Sequence, residues 1–177
     1  MISVEDGINE HGLCVALTFL LSKEIKPGIN GGFLVRKVLE ECKTTQEAVD
    51  LINALPLSSS HNIVIADRSG ELAVVECTSQ DISVRQDENY VIATNHFLSE
   101  HMIKYNNTED NWYHTRDRYD TLDTCLKANP EVDFEECKNI ISGKYGFVCQ
   151  FKKELHFDTI WSAVYDLNSL YHEICEG

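Results

Sequence analysis

The sequence predicts a layered α+β domain built on antiparallel sheet, and three observations carry the prediction. The segments "HNIVIADRSGELAVVECTS" and "DISVRQDENYVIATNHF" each hold two short apolar runs joined by a polar turn, the pattern of an antiparallel meander. Segments with apolar residues at helical spacing stand before and after that meander. The chain then closes on another pair of apolar runs around a polar turn. Strands, helices, strands, helices and strands in this order set helices over the faces of an antiparallel sheet.

From the start of the chain, "DGINEHGLCVALTFL" sets Gly7 and Gly12 among polar residues and then runs apolar over 13–21, a turn feeding a buried strand. Asn9 in that turn reads as structural, because Asn and Gly take the positive φ values such turns need. Pro27, Gly28, Gly31 and Gly32 mark a loop. Phe33, Leu34, Val38, Leu39 and Cys42 then recur at helical spacing, with Arg36, Lys37, Glu40 and Glu41 between them. Thr44 and Thr45 offer an N-cap to a second helix carrying Ala48, Val49, Leu51, Ile52 and Leu55, which Pro56 ends. The meander places strands at 63–66, 72–75, 82–85 and 90–93. A polar loop over 104–111 follows, then helices near 115–128 and 132–142 separated by Pro130. Residues 159–165 and 170–174 make the last hairpin, turned at 166–169. With no repeat and no linker, residues 1–177 read as a single domain.

Composition excludes several functions. Of 177 residues, 15 are basic and 29 acidic, and the net charge of -14 repels nucleic acid and anionic membrane surfaces. No run is long enough to span a membrane, and "MISVED" has neither the basic start nor the apolar core of a signal peptide, which predicts a cytoplasmic protein. The seven cysteines include no C-x-x-C pair and sit mostly in apolar runs, as reduced core thiols do. The seven histidines are scattered without H-E-x-x-H, so neither a metal site nor a cofactor is expected. Arg68, Arg85, Arg116 and Arg118 are the basic residues in the middle of the chain, and each reads as a solvated surface group.

Five segments, in order, carry a resemblance: "DGINEHGLCVALTF", "NIVIADRSGELAVVECTS", "VIATNHF", "TRDRYDTL" and "DTIWSAVYDLNSLYHEICEG". Together they resemble the acyl-coenzyme A:6-aminopenicillanic acid acyltransferase (isopenicillin N acyltransferase-like) family of N-terminal nucleophile hydrolases, with choloylglycine hydrolases as more distant relatives. The match runs from Asp6 to Gly177 and is weakest over 138–156. It implies an αββα sandwich of antiparallel sheets. It also implies chemistry on linear amides or thioesters, in which an N-terminal cysteine forms an acyl-enzyme that is passed to water or an amine. The free α-amine beside such a thiol serves as its base. On residues alone Asn95 reads as a turn residue capping a strand. The resemblance makes it an oxyanion-hole donor, with a backbone N–H near Phe19 as the second donor. Thr18, Phe19 and His96 are the candidate substrate-binding residues. For His96, which has no acidic neighbour in sequence, a hydrogen-bonded structural histidine is the competing reading.

The resemblance places the nucleophilic cysteine and an Asn-x-Asp segment upstream of "DGINEHG", and these 177 residues contain neither element. Cys14 lies in an apolar strand with no base beside it, where a thiol stays protonated and inert. The expectation is therefore an incomplete domain of this fold, lacking its N-terminal strands and inactive by itself, whose substrate is a small acyl amide or thioester. A companion N-terminal fragment, or self-association through uncovered sheet, would complete it. The alternative function is a non-enzymatic binding or assembly module derived from the same fold.

Overall fold

Alternating side chains along five segments build one antiparallel sheet from β1 (Asp6–Ile8), β2 (Cys14–Phe19), β3 (His61–Ala66), β4 (Leu72–Cys77) and β5 (Ile82–Gln86), in that spatial order. The computed structural model describes residues 2–107, 114–149, 151–152 and 157–176, and the chain divides into two compact units, Met1–Glu109 and Asp110–Gly177. Within the first unit, register aligns Val15 with Ile65 and Ala73, and Leu17 with Ile63 and Val75. This face buries its apolar residues with Leu34, Val35 and Val38 of α1 (Gly31–Glu41) and with Ala48, Val49 and Ile52 of α2 (Thr45–Ala54). Each buried Val, Leu or Ile side chain among these contributes about 1.5–3 kcal/mol, and the Ala48 methyl less. The other face carries a polar row, because Thr18 opposes Asn62, Asn62 opposes Glu76, and Glu76 opposes Ser83.

The helices follow their caps. Thr44 accepts from Glu47 N–H at 3.2 Å, while the Glu47 carboxylate accepts from Lys43 N–H at 2.7 Å, as the threonine pair predicts. Helix α1 begins two residues earlier than its apolar spacing suggests. Asn30 is its N-cap, accepting from Phe33 N–H at 3.0 Å, so Gly31 and Gly32 form the first turn instead of a loop. Asn9 is structural, but through its carboxamide and not a positive φ; Gly12 takes that conformation, at φ 81°. Asn9 Oδ1 accepts from His11 and Leu13 N–H, and Nδ2 donates to the carbonyls of Leu39 and Cys42 at 3.0 and 2.8 Å. The β1–β2 turn is thereby fastened to the end of α1.

The fourth strand expected at 90–93 does not form; this stretch joins no sheet. Its carbonyls are taken by side chains of the polar sheet face. Arg85 Nη2 donates to Ile92 O at 2.9 Å, and Thr18 Oγ1 and Asn62 Nδ2 donate to Thr94 O at 2.5 and 2.8 Å. The segment crosses the face of the sheet, and the run is apolar because it is covered there, with Ile92 buried. Strand β1 escaped the sequence reading because its three residues show no apolar alternation. Of the polar loop expected over 104–111, the start is a 3-10 turn, Ile103–Tyr105, and 108–111 lie outside the described residues.

The second unit holds α3 (Thr115–Ala128), α4 (Phe134–Ile141), the pair β6 (Phe151–Lys152) with β7 (Phe157–Asp158), and the hairpin β8 (Trp161–Tyr165) with β9 (His172–Glu176). Both helices stand where the pattern puts them. The closing hairpin turns over 166–169 as expected, but its second strand runs two residues later than 170–174, at His172–Glu176. Strand β6 falls in the stretch of weakest resemblance and β7 just after it. Phe134 packs its ring 5.3 Å from that of Tyr171, and Lys138 Nζ bridges Glu135 and Glu173 at 3.0 and 2.8 Å, tying α4 to β9. Helices and antiparallel sheets thus compose the fold class that the sequence predicts. Among the described residues no helix is long and apolar enough to cross a membrane.

Removing the Asn9 carboxamide deletes four hydrogen bonds and strands two helix-end carbonyls. Asn9→Ala is expected to lower unfolding stability by about 2–4 kcal/mol, read from the urea midpoint at unchanged slope.

Candidate functional site

The polar row finds its partners in the segment that bears "TNH". Asn62 is fully buried and works as a hub, its Nδ2 donating to the carbonyls of Thr94 and His96 at 2.8 and 3.1 Å and approaching Thr18 Oγ1 at 3.2 Å. Glu76, also without exposure, accepts from Leu98 and Ser99 N–H at 2.9 and 3.0 Å and from Arg85 Nε at 2.7 Å. Arg85 in turn holds Ile92 O. Residues 92–99 are therefore clamped at both ends and in the middle. Arg85 is corrected from a solvated surface group to one half of this largely buried ion pair.

Between the clamps, half-buried Asn95 donates from Nδ2 to Phe19 O at 2.7 Å. Leu17 N–H donates to Glu5 O on the β1 side of β2. Antiparallel alternation turns the N–H and C=O of Phe19 to that same flank, where β1 has ended. The Asn95 carboxamide and the Phe19 peptide thus share one edge at the C-terminal end of β2. Thr18 is half-buried and bound to Thr94 O; the Phe19 side chain is 53% exposed. His96 is buried, with Nδ1 3.1 Å from Thr94 Oγ1 and its carbonyl bound by Asn62. All four candidate residues from the sequence lie in this one region.

Sequence reasoning missed Asn62, Glu76 and His61. The available signal was a polar residue inside each apolar run, "HNIVIA" and "LAVVEC", where strand alternation points it inward. His61 is buried, with Nε2 2.9 Å from Ser59 Oγ and the ring of Phe19 edge-on at 6.2 Å. Burial lowers its pKa below the ordinary 6.5, opposed by the Thr18 backbone nearby. Nδ1 has no hydrogen-bond partner of good geometry among the described residues.

The cysteines are all free. Cys42 and Cys77 are buried as expected, whereas Cys175 is exposed on β9, a correction to the view that they fill a core. Burial, and behind it the Asp6 charge, push the Cys14 thiol up to about 12, so it carries no thiolate at neutral pH.

This architecture has known counterparts. The structure resembles penicillin V acylase from Agrobacterium tumefaciens at 18% identity and a TM-score of 0.69, covering 99% of this chain and 63% of that one. It also resembles a variant of conjugated bile acid hydrolase from Clostridium perfringens at 12% identity and a TM-score of 0.61, covering 98% of this chain and 73% of that one. Both show the fold, an N-terminal nucleophile hydrolase-like arrangement of helices and antiparallel sheets. No curated protein sequence matches the chain. The family model for acyl-coenzyme A:6-aminopenicillanic acid acyl-transferase matches residues 1–177, and the chain belongs to that family. It spans just under two thirds of the penicillin V acylase.

Two outcomes test the site's framework. Glu76→Gln removes the charge that Arg85 and two N–H groups address and sets an amide N–H against donors, so stability falls by about 3–5 kcal/mol in chemical denaturation. The lowered His61 pKa means the folded state binds this proton less readily than the unfolded chain does. Its contribution to stability is complete above pH 6.5 and is lost as pH falls through the folded value. An NMR titration of the His61 ring is expected to show a midpoint below 6.5.

Proposed function

We propose that this chain supplies the oxyanion hole and acyl pocket of an acyl-transfer enzyme acting on linear amides or thioesters. The observation that carries the reading is the shared edge formed by the Asn95 carboxamide and the Phe19 peptide. A donor held on a clamped segment needs no reorganisation as charge develops on the substrate oxygen, which is what makes such donors effective. In this role Asn95 exchanges its contact with Phe19 O for the oxyanion, and the Phe19 N–H is the second donor. Thr18 and Phe19 line the acyl side of the pocket. His96, bound to Thr94 and Asn62, shapes the pocket wall without entering the chemistry.

The nucleophile in this reading is an N-terminal cysteine carried by a segment outside these 177 residues, since Cys14 is held protonated. Residues 1–177 then act as one incomplete domain, inactive by itself, in a cytoplasmic enzyme. Membership of an acyl-transferase family, and the same fold in an acylase and a hydrolase, support amide or thioester substrates with water or an amine as acceptor.

Intact-mass measurement of the natural gene product is the first test. A co-purifying fragment, or a matured chain, that begins with cysteine supports the reading, and a 177-residue species alone refutes it. In the cysteine-bearing form, Asn95→Ala is expected to lower kcat by about 10²–10³ with KM little changed. An unchanged kcat removes Asn95 from the oxyanion hole.

A further inference from the structure

A serine hydroxyl stands within hydrogen-bond reach of the buried His61 ring, apart from the Asn95 carboxamide. The Ser59 Oγ to His61 Nε2 distance of 2.9 Å is the spacing that a nucleophilic hydroxyl and its base require. The imidazole is 9% exposed and has no room to swing. Its Cε1, Nε2 and Nδ1 lie 2.7, 2.8 and 2.9 Å from where a Cβ on Gly31 would stand. Gly31 opens α1, so the positive end of the helix dipole lies beside the ring, and burial lowers the imidazole pKa. A proton on Nδ1 leaves the Nε2 lone pair for the Ser59 hydrogen. The first-turn N–H groups of Gly31 and Gly32 have no intrahelical acceptor, and none from other backbone among the described residues. The Phe19 ring lies edge-on to the imidazole and is 53% exposed. Leu21 and Ile25, next in the chain to residues that bind the carbonyls of Ser60 and Ser58, are 46% and 75% exposed.

We propose that Ser59 and His61 form a second acyl-transfer site, a serine–histidine dyad that accepts the acyl group of small esters with apolar acyl chains. The Ser59 oxygen adds to the ester carbonyl carbon as its proton passes to His61 Nε2. Collapse of the tetrahedral species breaks the bond to the alcohol, which leaves with that proton, and Ser59 holds the acyl group as an ester. Water then adds to this ester and gives a proton to Nε2, and Ser59 recovers the proton as the carboxylic acid departs. The positive end of α1, which lies against the His61 ring, favours the negative charge that develops on the ester carbonyl oxygen. The site uses neither Asn95 nor an N-terminal cysteine, so it stands or falls independently of the function proposed above.

The test treats the full 177-residue chain with a fluorophosphonate and maps the adduct by peptide mass spectrometry. The expected result is a single adduct on Ser59, at a rate that rises with pH and levels off below 6.5 as the imidazole loses its proton. Ser59→Ala abolishes the adduct, and His61→Gln slows labelling by about 10²–10⁴. The proposal is overturned if the native chain takes no adduct on Ser59, or takes it no faster than the urea-unfolded chain. The peptide map of the unaltered protein decides the matter even where a variant fails to fold.

Discussion

A polar group on an interior sheet face must be given a partner, because an unsatisfied buried donor or acceptor costs about 1–3 kcal/mol and a buried charge more. Asn62 and Glu76 impose that requirement from neighbouring strands. One segment, residues 92–99, meets nearly all of it by presenting backbone carbonyls to Asn62 and Arg85 and N–H groups to Glu76. The path of this segment is thus set by the sheet and not by its own strand propensity. Asn95 sits at its centre, and its placement follows from polar side chains that hold the residues on either side of it.

The two faces of the sheet divide the labour of the first unit. The helix-covered face is closed by aliphatic packing from α1 and α2 and supplies most of the stabilisation. The polar face supplies position, since hydrogen bonds to fixed backbone atoms restrict direction as well as distance. His61 is the exception that joins the two. It lies on the helix-covered side of the sheet, paired with Phe19 and Cys77, yet is polar and buried at the start of α1.

Local features were legible in the sequence wherever one short stretch determines the outcome. The Thr44 cap, the Asp67–Gly70 turn and both later helices each depend on a few neighbouring residues and are found as read, and the closing hairpin is found with its second strand two residues later than expected. The run at 90–93 was misread because a short apolar stretch looks the same in a sheet and on top of one. Its fate is decided by Thr18 and Asn62, 76 and 32 residues away from Thr94. Arg85 was misread for a similar reason, as its partner Glu76 becomes a neighbour only through the register of β4 on β5. The family and its fold were legible from ordered motifs, whereas the Asn62 and Glu76 clamps needed the pairing of strands to become visible.

Gly31 and His61 occupy one space, since a single methyl at position 31 would overlap the imidazole. Neither position can be exchanged without regard to the other, although thirty residues and a second helix separate them in the chain. An alanine at 31 requires a smaller residue at 61, and a bulkier ring at 61 has no glycine to spare beneath it. In the drift of related sequences the two positions should therefore change together or not at all, which makes them a covarying pair set by volume and not by charge.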